Sequence, residues 1–453
     1  MKYIISFINK NTLIIFLLFI FLLSVLNYFF CKIYVSDGYN PWLVDQNGNY
    51  LVNMIAFKFG PYIESILSGK KYILKWFDLE LAVSRRPLLP YTIVFLYKFF
   101  SKNFILIHLF KNIFFCSLIF LSIKTFYKNY NNLFLILCLI LIFYIPHNLI
   151  TNLGTENEEG ILNYLIIILF FTLLSNHNYK SIFLTINLCL IFLLKGSMFL
   201  LACLIPLVFI FVERKKTKYL YLPLLGIILT NIFWGIHTKQ TNGFFALGPK
   251  SSSMNAVNIS LVANKYFNTT YPTVRPDIHL DLIEKKVKEK KILTENQFID
   301  EMLKESNKYI LSNLPSYIKG VMKKVYVLTL SPYKDGQYPI DENQFRSKLY
   351  KGELDVIDQI NNPIRYSNIP NKLIFNLSLI FLFISFINFK NNSKTIRKLD
   401  IYYFFILLFY LAPYMFAWIY PRHATALYIL SHLYILLILI EKKYLKINHI
   451  FKN

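Results

Sequence analysis

Apolar residues in this chain gather into long runs, and polar residues mark the joints between them. A helix needs about 20 apolar residues to cross a hydrocarbon core. Stretches at 12–34, 104–123, 133–150, 161–175, 181–195, 197–213, 219–236, 373–389, 401–418 and 424–440 reach or approach that length with few or no charges. The run from Ser181 to Phe211 is too long for one helix and is interrupted by Lys195, Gly196 and Ser197, which predicts two short helices joined by a tight turn. The pattern predicts an all-α polytopic protein with about 10 transmembrane helices.

The basic residues set an orientation. They fall in alternate short loops, KTFYKNYNN, SNHNYKS, ERKKTK, FKNNSKTIRK and the tail EKKYLKINHIFKN, which places those loops and both termini on the cytoplasmic side. The opposite side receives the loop from Ser36 to Pro87, then TENEEG, the KGS turn, a long segment from His237 to Lys372, and YPRH. The alternation holds only if 90–100 does not cross, so that stretch of about a dozen residues is expected to lie along the outer interface. The expected organisation is an N-terminal transmembrane module at 1–236 with a first external loop at 36–103. An external, mainly helical segment follows at 237–372, then C-terminal transmembrane helices and a basic cytoplasmic tail at 373–453.

Within the external segment, LDLIEKKVKEKKILTENQFIDEMLKESNKYILSNL carries apolar residues at helical spacing. Thr294 and Gln297 form a predicted capping box at the start of its second helix.

Composition agrees with the membrane expectation: 55% of the 453 residues are apolar, 18% aromatic and 16% charged. The formal net charge of +24 would fit a nucleic-acid partner, but the lysines cluster in short loops between apolar runs, so no nucleic acid is expected. The five cysteines, Cys31, Cys116, Cys138, Cys189 and Cys203, lie in apolar segments without a C-x-x-C pair, suggesting neither a zinc site nor a disulfide framework. The first apolar run is too long for an ordinary signal peptide and is read as an uncleaved helix.

Threaded this way, one face collects Asp37, Asp45, Arg85, Arg86, Glu156, Glu158, Glu159, Lys195, Arg422 and His423. A carboxylate that orients or deprotonates an acceptor, with cations that stabilise a departing phosphate, is what group transfer from a phosphate carrier requires. Each member also has a plainer role. The loop aspartates can be solvated, the glutamates can complement a helix N-terminus, Lys195 can reach to the interface, and Arg422 with His423 can form a connecting turn.

The order of these features resembles the GT-C glycosyltransferases of the protein mannosyltransferase and aminoarabinose transferase type. SDGYNPWLVDQNGNYLVNMIAFKF is similar to their acidic first loop, with Asp45, Tyr50 and Ala56 at comparable spacing, and SRRPLLPYTIVFLYKFF to the segment leading into an interfacial helix. GTENEEGILNYLIIILF, FLLKGSMFLLACLIPL and YPRHATALYIL resemble the second acidic position, the Lys-containing turn and the late Pro-Arg segment. The family's paired Asp-Glu is absent from the first loop. Asp37 is favoured by closeness to the membrane and Asp45 by spacing.

The resemblance implies an inverting transferase that moves a sugar from a polyprenyl-phosphate-linked donor to a lipid, glycan or protein acceptor at the outer face of the inner (cytoplasmic) membrane. Asp37 or Asp45 would act on the acceptor and Glu156 would border it. Arg85, Arg86, Lys195 and Arg422, with His423 beside it, would bind the donor phosphate. Some branches use a divalent metal, and no cofactor or metal ligand is assigned. Three alternatives stay open: an O-antigen polymerase or ligase, for which Arg275, Arg346 and Arg365 stand in the large external segment, a transporter or flippase, and a purely structural or scaffold membrane protein.

Overall fold

The computed structural model describes residues 10–36, 60–70, 72, 74–76, 79–81, 86–100, 104–126, 132–144, 158–214, 218–247, 285, 288–289, 294–329, 356–416 and 424–442. Within them the fold is all-α apart from one small hairpin. In chain order the elements are α1 (Thr12–Ser36), α2 (Gly60–Leu67), β1 (Leu74–Trp76), β2 (Leu79–Leu81), α3 (Leu88–Phe100), α4 (Phe104–Phe126) and α5 (Asn132–Tyr144). Next come α6 (Glu158–Leu174), α7 (Lys180–Leu194), α8 (Phe199–Glu213) and α9 (Leu222–Asn242). The chain continues through α10 (Glu295–Ser312), α11 (Leu314–Thr329), α12 (Val356–Ile387), α13 (Lys394–Phe416) and α14 (Thr425–Glu441). The strands pair antiparallel with Leu74 opposite Leu81 and Trp76 opposite Leu79.

As far as its residues are described, each stretch expected to be an apolar helix contains one, and the Lys195-Gly196-Ser197 interruption falls between α7 and α8 as a single 3-10 turn at Gly196–Met198. The capping box also forms: the Thr294 N–H donates to Gln297 Oε1 at 3.2 Å, and the Gln297 N–H to Thr294 Oγ1 at 3.3 Å. One boundary differs. Helix α12 begins at Val356, well inside the segment expected to be external, and passes through Pro363 and Pro370 without ending. Prolines discourage helix interiors, which hid this extension.

Length and hydropathy together separate the helices. Gly196–Glu213 and Ile369–Ile387 are long and apolar enough to cross a membrane, whereas several other apolar helices are shorter in their described parts, among them Lys180–Leu194 and Thr425–Glu441. The expectation of about ten crossings therefore reduces to helices at the expected places, of which these two stretches are both long and apolar enough to cross among the described residues.

Burial follows from packing in layers around α6 and α14. Helix α14 is enclosed on all sides, with Leu427, Leu430, Leu433, Tyr434 and Leu437 at most 1% exposed. A helix apolar all round belongs inside. Helix α6 lies beside it, and Phe115 of α4 stacks on Tyr164 of α6 with centroids 4.6 Å apart. Helices α1 and α4 run antiparallel: Phe16 meets Phe120, and Asn112 donates to Ser24 Oγ at 3.0 Å.

The exterior is apolar as well. On α12, Leu373, Leu377, Ile380, Phe383, Ile384 and Ile387 point outward. Leu225, Ile228, Leu229, Ile232, Phe233 and Ile236 do the same on α9, as do Leu13, Leu17, Phe21 and Val25 on α1. Contiguous apolar faces of this extent are unusual on a protein surface bathed in water.

Candidate functional site

Two polar clusters mark opposite ends of the bundle, and each is made where helix ends meet. At one end α6 finishes, α7 starts, α8 finishes and α13 starts. There Glu213 receives Lys180 at 2.7 Å and Lys398 at 2.8 Å, and Tyr402 donates to its Oε1 at 3.1 Å. The same ammonium groups reach back carbonyls at the end of α6: Lys180 donates to Ser175 O at 3.1 Å, and Lys398 to Leu174 O at 3.3 Å. Two cations here satisfy both a buried carboxylate and the electronegative end of a helix. Burial and the neighbouring Lys398 charge lower the Lys180 pKa to about 8, against the opposing pull of Glu213. The geometry is that of a structural clasp joining three loops expected on one face.

At the other end α6 starts, α7 finishes and α13 finishes. Lys195, on the turn between α7 and α8, faces Glu158 of the first turn of α6 at 3.8 Å and lies over the Tyr414 ring at 5.4 Å. Both charged side chains are largely buried. The separation exceeds the 2.7–2.9 Å of a close charge-assisted hydrogen bond, so this pair is looser than the clasp. The TENEEG and KGS segments, remote in sequence, thus place a carboxylate and a cation together, although the member described is Glu158 rather than Glu156.

Arg86 stands at the same end. It precedes α3 and is 1% exposed, with its guanidinium 4.2 Å from the Phe192 centroid and 4.8 Å from that of Trp234. Phe192 lies less than one turn before Lys195 on α7, which brings the two cations to the end of one helix. Burial lowers the Arg86 pKa to about 9, so it stays cationic at neutral pH. The backbone on either side of 82–85 is held by tyrosines: Tyr62 donates to Leu81 O at 3.0 Å and Tyr72 to Arg86 O at 3.2 Å, with their rings stacked at 4.3 Å. Arg86 is therefore enclosed in an aromatic cage that ties α3 to α7 and α9. A phosphate would reach its guanidinium only after that cage opened.

Helix α9 ends beside the hairpin. Gly243, at φ +78°, closes the helix, and the chain turns back so that the Ala246 N–H donates to Thr238 Oγ1 at 3.0 Å. Asn242 bonds Glu295 at the start of α10. Helix α10 is thereby attached at the Lys195 end.

Of the residues proposed from the sequence, Arg86 and Lys195 are placed as above, while Asp37, Asp45, Arg85, Glu156, Arg422 and His423 lie outside the described residues. Among the described residues no group of three or more His, Cys, Asp or Glu side chains comes together. Sequence reasoning missed the cage partners Phe192 and Trp234, because nothing in an apolar run marks which aromatic will face a distant arginine. It also missed Asp400, which accepts from Ser385 at 2.5 Å and from Tyr434 at 2.7 Å among α12, α13 and α14. A single aspartate at the start of an apolar run was the available signal. Set against known protein families, curated proteins and solved structures, the chain matches none of them.

Proposed function

We propose that this chain is a polytopic glycosyltransferase of the cytoplasmic membrane, with both termini cytoplasmic. It would move a sugar from a polyprenyl-phosphate carrier to a lipid, glycan or protein acceptor at the outer face. The observation that carries the proposal is the meeting of Glu158 and Lys195 at the end of the bundle that also holds Arg86. The resemblance to GT-C enzymes assigns those three segments to one catalytic face. Further support comes from the opposite end, where SNHNYKS, ERKKTK and TIRK converge on Glu213 as loops sharing the cytoplasmic side would. The outward apolar faces of α1, α9 and α12 suit hydrocarbon surroundings.

In this reaction an acceptor hydroxyl attacks the anomeric carbon, forming the new glycosidic bond as the bond to the phosphate oxygen breaks. The acceptor proton passes to a carboxylate, Asp37 or Asp45, and Glu156 or Glu158 borders the acceptor. The polyprenyl phosphate leaves with the bonding electrons, its charge met by Arg85, Lys195 and Arg422. Arg86 acts as a positioning residue that fixes the segment carrying Arg85. The test is to supply membranes containing the chain with radiolabelled polyprenyl-phosphate sugars. Asp37→Asn, Asp45→Asn, Lys195→Ala and Arg422→Ala are compared with wild type. Transfer at the wild-type rate in all four variants, or no transfer by the wild type, overturns the proposal.

One observation favours a transporter or flippase as a second reading. Asp400 is wholly enclosed among helices, and ionisable groups in such places often mark transport pathways. Carrier flipping by reconstituted protein, without sugar transfer, would decide for it.

A further inference from the structure

Helices α12 and α14 run in the same direction and share a polar seam. Phe375 meets Tyr428 with centroids 6.1 Å apart. Further along, Tyr403 of α13 bridges Ser378 at 2.6 Å and Ser431 at 2.8 Å. Beyond that, Ser385 and Tyr434 both bond Asp400. Contact positions rise together on the two helices, so they are parallel, and one turn back from the Phe375–Tyr428 contact brings Asn371 level with Thr425. Position 371 shares the face of 375, 378 and 385, and 425 shares that of 428. Both residues therefore belong to the seam, at the Lys195 end of the bundle.

Among the described buried amides Asn371 stands out because neither of its polar side-chain atoms is bonded, and Thr425 shares its lack of partners. Asn371 is 1% exposed and Thr425 0%, yet both amide atoms of Asn371 and the Thr425 hydroxyl lack a hydrogen-bond partner among the described residues. Lower in the same seam Ser378, Ser385, Tyr403 and Ser431 are all bonded. A buried donor or acceptor without a partner is costly, and the register of the two helices puts three such atoms at one level of the seam. Pro370, immediately before Asn371, withdraws one helical N–H and loosens that turn of α12.

We infer that Asn371 and Thr425 form a subsite for an uncharged, hydroxyl-bearing ligand group, namely the sugar of the carrier-linked donor. The chemistry selects this class. An amide offers a donor and an acceptor side by side, a hydroxyl offers both, and sugar hydroxyls need both in return. Phosphate would instead use cations, which this end of the molecule supplies at Lys195. Thr425 follows the YPRH segment by two residues, so a donor whose phosphate met Arg422 would carry its sugar toward this seam. The inference rests on the transferase reading for the identity of the donor. The unpartnered polar pair itself does not depend on that reading.

The test is thermal unfolding of the detergent-solubilised full chain as wild type, Asn371→Leu and Thr425→Val. Each is measured alone, with bare polyprenyl phosphate, and with polyprenyl-phosphate-linked hexoses and pentoses. Without ligand, both variants should melt higher by roughly 2–4 °C, since each removes buried unsatisfied atoms at nearly constant volume. With a matching sugar-bearing carrier, both should bind about tenfold more weakly than wild type, while binding of the bare carrier stays the same. Variants that melt lower, or that bind the sugar-bearing carrier as well as wild type does, overturn the inference alone. A wild type that binds neither form of the carrier overturns the transferase reading and this donor assignment with it.

Discussion

At the scale of single residues, the Arg86 cage carries both an energy and a pH response. A cation against an aromatic face contributes about 2 kcal/mol or more when desolvated, and Arg86 has two such faces, Phe192 and Trp234. Lysine reproduces only part of this, because the planar guanidinium also stacks and a compact ammonium does not. Arg86→Lys should therefore destabilise the protein by about 2 kcal/mol. A double-mutant cycle of Arg86→Lys with Phe192→Leu should give a coupling of about 1 kcal/mol in denaturant melts. Additive losses would mean the contact is incidental.

His237 stands beside this cage, near Trp234 at 5.4 Å and Tyr72 at 6.3 Å. Burial lowers its pKa below the ordinary histidine value. The unfolded chain then binds a proton on falling through about pH 6.5 while the folded one still does not. Stability is full above that range and is lost as pH drops toward the folded value. His237→Gln should flatten the melting temperature between about pH 7 and pH 5, and an unchanged pH profile would contradict the assignment.

Among elements, close approach and charge pairing decide which helices stay together. Helices α7 and α9 run parallel, with Thr230 donating to Cys189 Sγ at 3.2 Å. A Cβ built on Gly226 would stand 2.3 Å from Thr185 Cγ2. Gly226→Val forces these helices apart, and a loss of about 2–3 kcal/mol is expected in the same melts. At the Lys180 end, Glu213→Gln removes the shared anion and leaves two buried ammonium groups facing each other, a change expected to cost about 3–5 kcal/mol. Adding Lys398→Met to it should recover part of the loss, because one uncompensated charge then remains instead of two. If Glu213→Gln alone is neutral, the clasp is not a structural element.

The helices themselves were legible in the sequence because an apolar run with charged joints admits few other structures. The break at Lys195 was legible for the same reason, and the Thr294–Gln297 box because a cap is a local signal. The pairings were not. Runs that are apolar on every side, such as 425–440, carry no period that says which face meets which neighbour. Lys180, Glu213 and Lys398 looked like separate orientation charges until the fold joined them. The candidate site was legible only as a set of segments on one face, and the sequence offered no reason to single out Asn371 or Thr425.

For the whole molecule, the decisive property is its two-ended polarity combined with an apolar girth. The Glu213 clasp and the Glu158–Lys195 pair lie at opposite ends of α6, α7 and α8, with outward-facing Leu, Ile and Phe between. In water such a surface would drive association, whereas in a bilayer it costs nothing to expose. In the proposed topology the basic loops lie on the cytoplasmic side. Single cysteines introduced at exposed positions in a background without native cysteines test the entire arrangement. Asn178→Cys and Asn391→Cys stand at the clasp end, and Gln240→Cys at the other. A membrane-impermeant thiol reagent applied to intact cells should label the Gln240 position and spare the other two until the membrane is permeabilised. Labelling of all three in intact cells, or of the clasp-end pair alone, would invert or abolish the proposed topology and remove the site from the outer face.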